Sequence, residues 1–368
     1  MLRVGVVKEI KPFESRVGMT PDGVGALVRL GHDVYLQAGS GEGCGYPDKE
    51  YREAGARILK DPAVVWKAAS IIVKVKEPQA KEYVYFRPGQ FIFTFFHLAT
   101  DKRLAEALVK SRATAIAYEM VQDDDGSLPI LAPMSQAAGK LAVQVGGSLL
   151  TKPAGGKGIL LGGVGEYGRG RVVVLGTGNV GIAAMERAVA LGAEVSMFGR
   201  DENRMARLRA AHPGRVQVEP LTAGRIAAQL PTADLLIGAV SVPGARAPIV
   251  VPRNAVSRMT AGSVIVDVAI DQGGCIATSK PTTHAKPTYV ANGVIHYAVT
   301  NMPAAVPRTS SMGLAAKTMP FLQKMAALGI ENAVRIDPAL VRGVVAADGM
   351  IRNENVARAH RMRWKPWP

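Results

Sequence analysis

Along the first 130 residues the apolar positions switch between two periods. Short β-branched runs at Arg3–Val7, Asp33–Gln37, Ile71–Val75, Phe91–Phe96 and Thr114–Ala117 predict strands. Between them lie helical patterns with clear starts. Thr20-Pro21-Asp22 opens one to about Leu30, Asp61-Pro62 opens another, and Thr100-Asp101 opens a third to about Lys110. Alternating strand and helix predicts a parallel sheet. A long helix is expected from Ser135, as its N-cap, to about Leu150, followed by a glycine-rich connector at 155–164. A second strand–helix series begins at Arg171, with later strands at Leu235–Val240, Ser263–Ala269 and near Val294–Val299. From Ser310 onward the pattern is helical to the end, with Leu314, Met319, Leu322, Met325 and Leu328 on one face. These helices are expected to pack back on the first series, giving domains at 1–131 plus 308–368 and at 132–307.

The stretch Arg171–Asp201 narrows the picture most. An apolar strand, Val172–Leu175, runs into Gly176-x-Gly178-x-x-Gly181, then a helix and a second strand. In that context the first glycine makes a tight turn and the second admits a pyrophosphate. The third lets helix pack on strand, and the helix N-terminus offers free N–H groups. The predicted class is therefore α/β, with two Rossmann-like doubly wound parallel-sheet domains and a cleft between them. The second strand ends at Gly199-Arg200, where NAD-binding versions usually carry an acid for the ribose hydroxyls. Without that acid, and with Arg200 and Arg204 nearby, NADP is favoured over NAD as the cofactor.

Composition changes this little. At 368 residues and 48% apolar, the chain can build two cores. No run of 18 or more apolar residues exists and the N-terminus starts on a strand pattern, so neither a membrane span nor a signal segment is expected. Cys44 and Cys275 are far apart and read as reduced thiols of a cytoplasmic protein; no Cys/His cluster has metal spacing. The net charge of +15 is spread along helices without aromatic interleaving, the tail at 361–368 excepted. It suits anionic small molecules better than nucleic acid.

Ligands of open α/β sheets bind outside the carboxyl ends of the strands. In the first domain that rule brings together Lys76, His97, Glu119 and, in the loop after the first strand, Arg16. Arg and Lys suit a small carboxylate, and His is the default proton shuttle near neutral pH. Each also has a plain reading: a strand-end histidine, a lysine reaching outward, a surface arginine, a glutamate pairing with one of them. In the second domain Asp271 follows a strand and either serves the chemistry or simply turns the chain before Gly273-Gly274. The loop Thr300–Pro307 suits a nicotinamide contact or a hinge.

Several blocks now resemble a known family. Lys8–Lys11, Lys74–Pro78, His97–Ala99, Leu131–Ser135, residues 239–248, Val266–Cys275 and Asn301–Ser310 look like alanine dehydrogenase. The nicotinamide transhydrogenase alpha subunit shares the fold and some of these blocks. The resemblance implies that Arg16 and Lys76 bind the substrate carboxylate and carbonyl, that His97 is the acid/base, and that Asp271 is a second catalytic residue. It implies dinucleotide contacts from Ser135, from Gly176, Gly178, Asn179, Val180 and Gly181, from Ala239 and Val240, from Val268, Ala269, Ile270 and Asp271, and from Asn301, Met302 and Pro303. It also implies a homo-oligomer, commonly a hexamer.

The chain departs from the family pattern at Gly199, Gln136, Ala298, Thr300 and 311–317. The leading reading is an amino-acid dehydrogenase that interconverts L-alanine with pyruvate and ammonium using NADP or NAD. Two alternatives stand beside it. One is a related NADPH-dependent reductase of another 2-oxo acid or imine; the other is a nucleotide-binding, transhydrogenase-like subunit.

Overall fold

The β-branched runs of the first 130 residues pair as parallel strands, and the glycine-rich motif sits at the centre of a second sheet. The computed structural model describes residues 1–241 and 246–368. They divide into two units, residues 1–134 with 306–368, and residues 135–305.

The first unit holds an eight-stranded sheet. From edge to edge it runs Met350–Ile351, Val344–Ala347, Thr114–Ala117, Phe91–Thr94, Ile71–Val73, Arg3–Val6, Asp33–Gln37 and Arg57–Leu59. Its six N-terminal strands are parallel and, numbered in chain order, lie 3-2-1-4-5-6. The order reverses between Arg3–Val6 and Ile71–Val73, the switch point at which such sheets bind ligands. Ile71–Val73, Phe91–Thr94 and Thr114–Ala117 are buried along their whole length, as parallel strands covered on both faces must be. The predicted caps are in place. Thr20 accepts the Gly23 N–H, Asp61 that of Ala63 and Asp101 that of Leu104.

The C-terminal segment corrects the expectation of helix to the end. Helices Pro307–Leu328, Ile330–Ile336 and Pro338–Gly343 are followed by strand Val344–Ala347, antiparallel to Thr114–Ala117, and by Met350–Ile351. Four small apolar residues are too few for periodicity to separate strand from helix. The open edge of Thr114–Ala117 decides the matter. The hairpin between them turns on Asp348-Gly349, both with positive φ (53° and 78°), the requirement of a two-residue turn matched to strand twist.

The second unit repeats the strand order. Its sheet runs Thr288–Ala291, Val294–Tyr297, Val264–Asp267, Leu235–Gly238, Arg171–Leu175, Glu194–Gly199 and Val216–Pro220. Only the Thr288–Ala291 pairing is antiparallel; the six others again lie 3-2-1-4-5-6. The reversal falls between Arg171–Leu175 and Leu235–Gly238. One helix start is corrected. The helix spans Ala132–Leu149, and the Ala132 N–H already bonds the Leu128 carbonyl, so Ser135 lies inside it rather than capping it. Pro133 is tolerated in a first turn and lets the helix begin upstream.

Candidate active site

At the carboxyl rim of the first sheet, strand order sets the functional loops side by side. The segment after the first strand crosses the end of Ile71–Val73, where a Cβ on Gly18 would lie 2.9 Å from the Val73 carbonyl oxygen. Lys76 follows that strand, and its carbonyl accepts the Thr94 hydroxyl at 2.9 Å. Thr94 ends the neighbouring strand, three residues before His97, whose N–H reaches across to Glu119 after the next. The four polar residues expected at this rim are thus carried by adjoining loops.

Each is held by a specific partner. The Arg16 guanidinium, 2% exposed, is gripped by Glu14: Nε donates to Oε1 at 2.7 Å and Nη2 to Oε2 at 2.5 Å. Nη1 faces the Met134 sulfur at 3.1 Å. This fork fixes the plane of the cation. Glu14 escaped the sequence reading because an acid two residues from an arginine is too common to stand out. Lys76 is buried, with its Nζ 3.9 Å from Glu77 Oε2. Burial pushes the Glu77 carboxyl up, but Lys76 and Lys11 outweigh it and hold it below its usual range.

Below Lys76 lies a second undetected cluster. Lys74, fully buried, sits 3.2 Å from Glu9 Oε2 and 2.9 Å from Glu82 Oε1. Glu9 Oε1 in turn accepts the Val75 N–H at 2.6 Å and the Lys76 N–H at 3.3 Å. Burial opposes the Lys74 charge, but two carboxylates overcome it and raise its pKa. The Glu9 carboxyl is pushed up by burial, which its one shared cation and the Val75 N–H do not offset.

His97 is exposed and takes a left-handed backbone (φ 46°, ψ 37°). Such a conformation costs roughly 1–3 kcal/mol outside glycine and gathers at functional sites. Its ring stacks on Phe95, 6.0 Å between centroids and 7° between planes. The Glu119 carboxylate accepts the Phe96 N–H at 3.2 Å and the His97 N–H at 2.6 Å. Glu119 thus bonds the backbone that aims His97.

The rim of the second sheet is built for close approach. Gly176 has φ +110°, and a Cβ there would lie 2.3 Å from the Ala239 carbonyl oxygen; one on Gly181 would lie 1.9 Å from that of Gly176. A Cβ on Gly178 would meet no described atom within 4 Å. The first and third glycines are demanded by the protein itself, whereas the second keeps open space above the turn. Helix Asn179–Ala190 starts there with no side-chain cap, which leaves N–H groups at Asn179, Val180 and beyond for an anion. Gly176, Gly178, Asn179, Val180 and Gly181 therefore fit a dinucleotide pyrophosphate. Ala239 and Val240 line the other side of the switch point, with the Ala239 N–H on the Leu175 carbonyl at 2.8 Å. Residues 242–245 of the 239–248 block lie outside the described residues.

Gly199 is closely packed. The space beside it is filled: a Cβ there would sit 2.5 Å from Thr177 Cγ2, 2.9 Å from its Oγ1 and 3.1 Å from Met205 Cγ. Losing the acid does not leave room at this point. Arg200 is exposed, and Arg204 Nη1 donates to the Thr177 carbonyl at 3.2 Å. Asp201, the nearest acid, is occupied in capping helix Glu202–Ala211.

The loop after Val264–Asp267 is organised by Asp267, which accepts the N–H groups of Ala269, Cys275 and Ile276 at 3.1, 3.1 and 3.2 Å. The turn Val268–Gln272 presents Asp271, exposed, with Ala269 and Ile270 buried beneath it. Asp271 accepts the Asn301 N–H at 3.2 Å, so these two predicted residues meet. Asn301 is left-handed (φ 59°), and Met302 and Pro303 are buried in the turn that follows. Ser135 is half-buried in its helix. Among the described residues no group of three or more His, Cys, Asp or Glu side chains could hold a metal ion, and no helix is long and apolar enough to cross a membrane.

Comparison with known proteins adds the lineage. The profile of the alanine dehydrogenase/PNT N-terminal domain matches residues 5–138, and that of the C-terminal domain matches 142–354. The chain belongs to the alanine dehydrogenase/PNT family. The alanine dehydrogenase of Halomonas elongata is 47% identical over 97% of this chain and 96% of its own length. That of Geobacillus stearothermophilus is 45% identical over 98% and 97%. A solved L-alanine dehydrogenase superposes with a TM-score of 0.94 at 43% identity, covering 98% of this chain and 99% of its own. A transhydrogenase from Sinorhizobium meliloti, 24% identical with a TM-score of 0.81, shares the fold. Proteins of the alanine dehydrogenase/PNT family use a nicotinamide cofactor.

Proposed function

We propose that this protein is an L-alanine dehydrogenase: L-alanine, water and NAD(P)⁺ give pyruvate, ammonium, NAD(P)H and a proton, or the reverse. The observation that carries the reading is the rim of the first unit, where Arg16 held by Glu14, buried Lys76, and His97 on its strained turn occupy adjoining loops. A nucleotide-binding subunit without a small substrate has no use for that set.

In this reading Arg16 and Lys76 hold the substrate carboxylate and carbonyl, Arg16 by its planar guanidinium and Lys76 as a point charge. His97 takes a proton from, or returns one to, the heteroatom on the substrate's second carbon as ammonia adds or leaves. Asp271, whose carboxylate accepts the Asn301 N–H, is the second catalytic residue that the family resemblance implies. When bound at the glycine turn, a nicotinamide dinucleotide accepts or supplies the hydride. Its contacts come from Ser135, the 176–181 turn, Ala239-Val240, 268–271 and 301–303. We infer NADP over NAD, because no carboxylate ends strand Glu194–Gly199 while Arg200 and Arg204 follow it.

The assignment to a homo-oligomer, a hexamer by family resemblance, belongs to the same proposal. It is supported by Leu160, Val164 and Tyr167, exposed by 64%, 77% and 84% on one short segment. A cytoplasmic location is supported by two buried free thiols. The deciding experiment follows NADH and NADPH oxidation with a panel of 2-oxo acids plus ammonium or amines. Pyruvate with ammonium should be the best pair. Selective turnover of a larger 2-oxo acid or amine would move the assignment to a related reductase, and no turnover with any pair would end it.

A further inference from the structure

The buried Glu9–Lys74–Glu82 cluster is used by nothing in the reaction as described. Three charges are taken from water at the switch point of the first sheet, with Lys74 and Glu9 side chains 0% and 2% exposed. Such clusters are poor stabilisers, since apolar residues of similar volume often serve the fold as well or better. Glu9 nevertheless does something an apolar residue cannot. Its Oε1 collects the N–H groups of Val75 and Lys76, where the chain leaves strand Ile71–Val73. Its Oε2 rests on Lys74. Glu82 completes the anchor: it neutralises the far side of Lys74 and accepts the Gln79 N–H at 2.7 Å, tying down the other end of the 74–79 loop.

We propose that Glu9 is a positioning residue for Lys76, holding the main chain at 75–76 so that the Lys76 ammonium meets the carboxylate end of a small 2-oxo acid. Alternate lysines divide the work. Lys74 points into the sheet and secures Glu9, while Lys76 serves substrate. This inference rests on the reading of Lys76 as a substrate-binding group.

Glu9→Gln keeps the size of the side chain and leaves Lys74 and Glu82 as a neutral pair. It should raise the KM for pyruvate by about tenfold, the scale of one charge-assisted bond, with kcat within about threefold and NADPH affinity, read by fluorescence titration, unchanged. Glu9→Asp keeps the charge for Lys74 but withdraws the oxygen from the Val75 N–H. It should raise KM likewise at some cost in Tm, since a buried N–H loses its acceptor, and it carries the test if the glutamine variant does not fold. A purely structural role would lower Tm or the active fraction, scaling kcat and leaving KM alone; that result in the folded variants overturns the proposal. Lys76→Ala separates the two levels. If it raises KM and the Glu9 variants do not, the inference alone falls; if it leaves KM unchanged, the substrate reading falls with it.

Discussion

Gly199→Asp restores the acid that NAD-binding relatives of this fold place at the end of the second strand. The simple expectation is a switch toward NADH. The packing predicts otherwise. The new Cβ would lie 2.5 Å from Thr177 Cγ2 and 2.9 Å from Thr177 Oγ1, with Met205 Cγ at 3.1 Å. Because both branches of Thr177 are within 3 Å, rotating χ1 moves one clash into the place of the other. Thr177 is 7% exposed and sits between Gly176 and Gly178, so its displacement is also a displacement of the pyrophosphate turn. Forced overpacking of this kind costs about 1–3 kcal/mol, and each kcal/mol lowers Tm by about 2–4 °C in a domain of this size.

The single variant should therefore lose stability and lose kcat/KM with both cofactors. Thr177→Ala removes both obstructing atoms, so the double variant Thr177→Ala/Gly199→Asp should regain the lost Tm. It should also shift the NADPH-to-NADH ratio of kcat/KM toward NADH by about 10- to 150-fold. That range corresponds to roughly 1.5–3 kcal/mol, the scale of one charge-assisted bond to a phosphate that the new carboxylate would repel. The assay is initial-rate NADPH and NADH oxidation at saturating pyruvate and ammonium, with thermal melts of all variants. A single variant as stable as wild type would refute the steric argument. A wild-type enzyme that prefers NADH would refute the phosphate reading, whatever the variants do.

Three further outcomes follow. His97→Ala should lose about 10²–10⁴ in kcat with NADPH binding nearly unchanged, as for a general acid–base residue; near wild-type turnover would remove it from the mechanism. Lys76→Ala should lose roughly 1.5–3 kcal/mol in kcat/KM for pyruvate, and steady-state kinetics showing no loss would place the carboxylate elsewhere. His296 is fully buried, its Nδ1 on the Val294 carbonyl at 2.9 Å and its Nε2 on the Thr278 hydroxyl at 2.7 Å, and burial lowers its pKa. The unfolded chain then takes up a proton below about pH 6.5 that the folded protein refuses, so stability falls as pH drops below that value, by up to about 1.4 kcal/mol per pH unit. Denaturant melts between pH 5 and 7 should show this slope weakened in His296→Gln, and an identical slope would assign it to other groups.

Much of the fold could be read from the chain because its local signals agree with one another. Thr20-Pro21, Asp61-Pro62 and Asp101 mark helix starts, and the β-branched runs between them have nowhere to go but a parallel sheet. What escaped was decided by tertiary partners. Arg57–Leu59 and Val216–Pro220 are edge strands only partly buried, so their side chains carry little period-2 contrast. Val344–Ala347 is a strand because the edge beside it was open. The same division holds at the site. That Arg16, Lys76 and His97 lie on one rim follows from the strand ends, whereas the places of Glu14, Glu9 and Glu82 do not. Their meaning lies in which N–H or guanidinium they reach, and Glu9 reaches Val75 and Lys76 across a long span of sequence. Thr177 was hidden for a related reason: a glycine at 199 looks like vacancy until its neighbour is in place.

The two sheets share one strand order yet carry chemically different rims, and the first βα connection accounts for the difference. In the second unit the strand ends at Leu175 and the helix begins at Asn179, so the turn is short, glycine-lined and backed by a free helix N-terminus, a surface of N–H dipoles suited to a diphosphate. In the first unit the strand ends at Val6 and the helix waits until Pro21, where Thr20 already caps it. Its cap already takes the Gly23 N–H and Pro21 has none to give, so that helix end offers fewer donors, and the long intervening loop instead brings Glu9, Glu14 and Arg16 back over the switch point. A guanidinium whose Nε and Nη2 are already spent on Glu14 shares its charge with that acid, so it suits a singly charged carboxylate better than a more highly charged pyrophosphate. Shortening the 7–20 loop would therefore not convert the first rim into a second nucleotide site. It would remove Arg16 together with the acids that hold it and the 75–76 main chain, leaving Lys76 and His97 on a rim without its guanidinium.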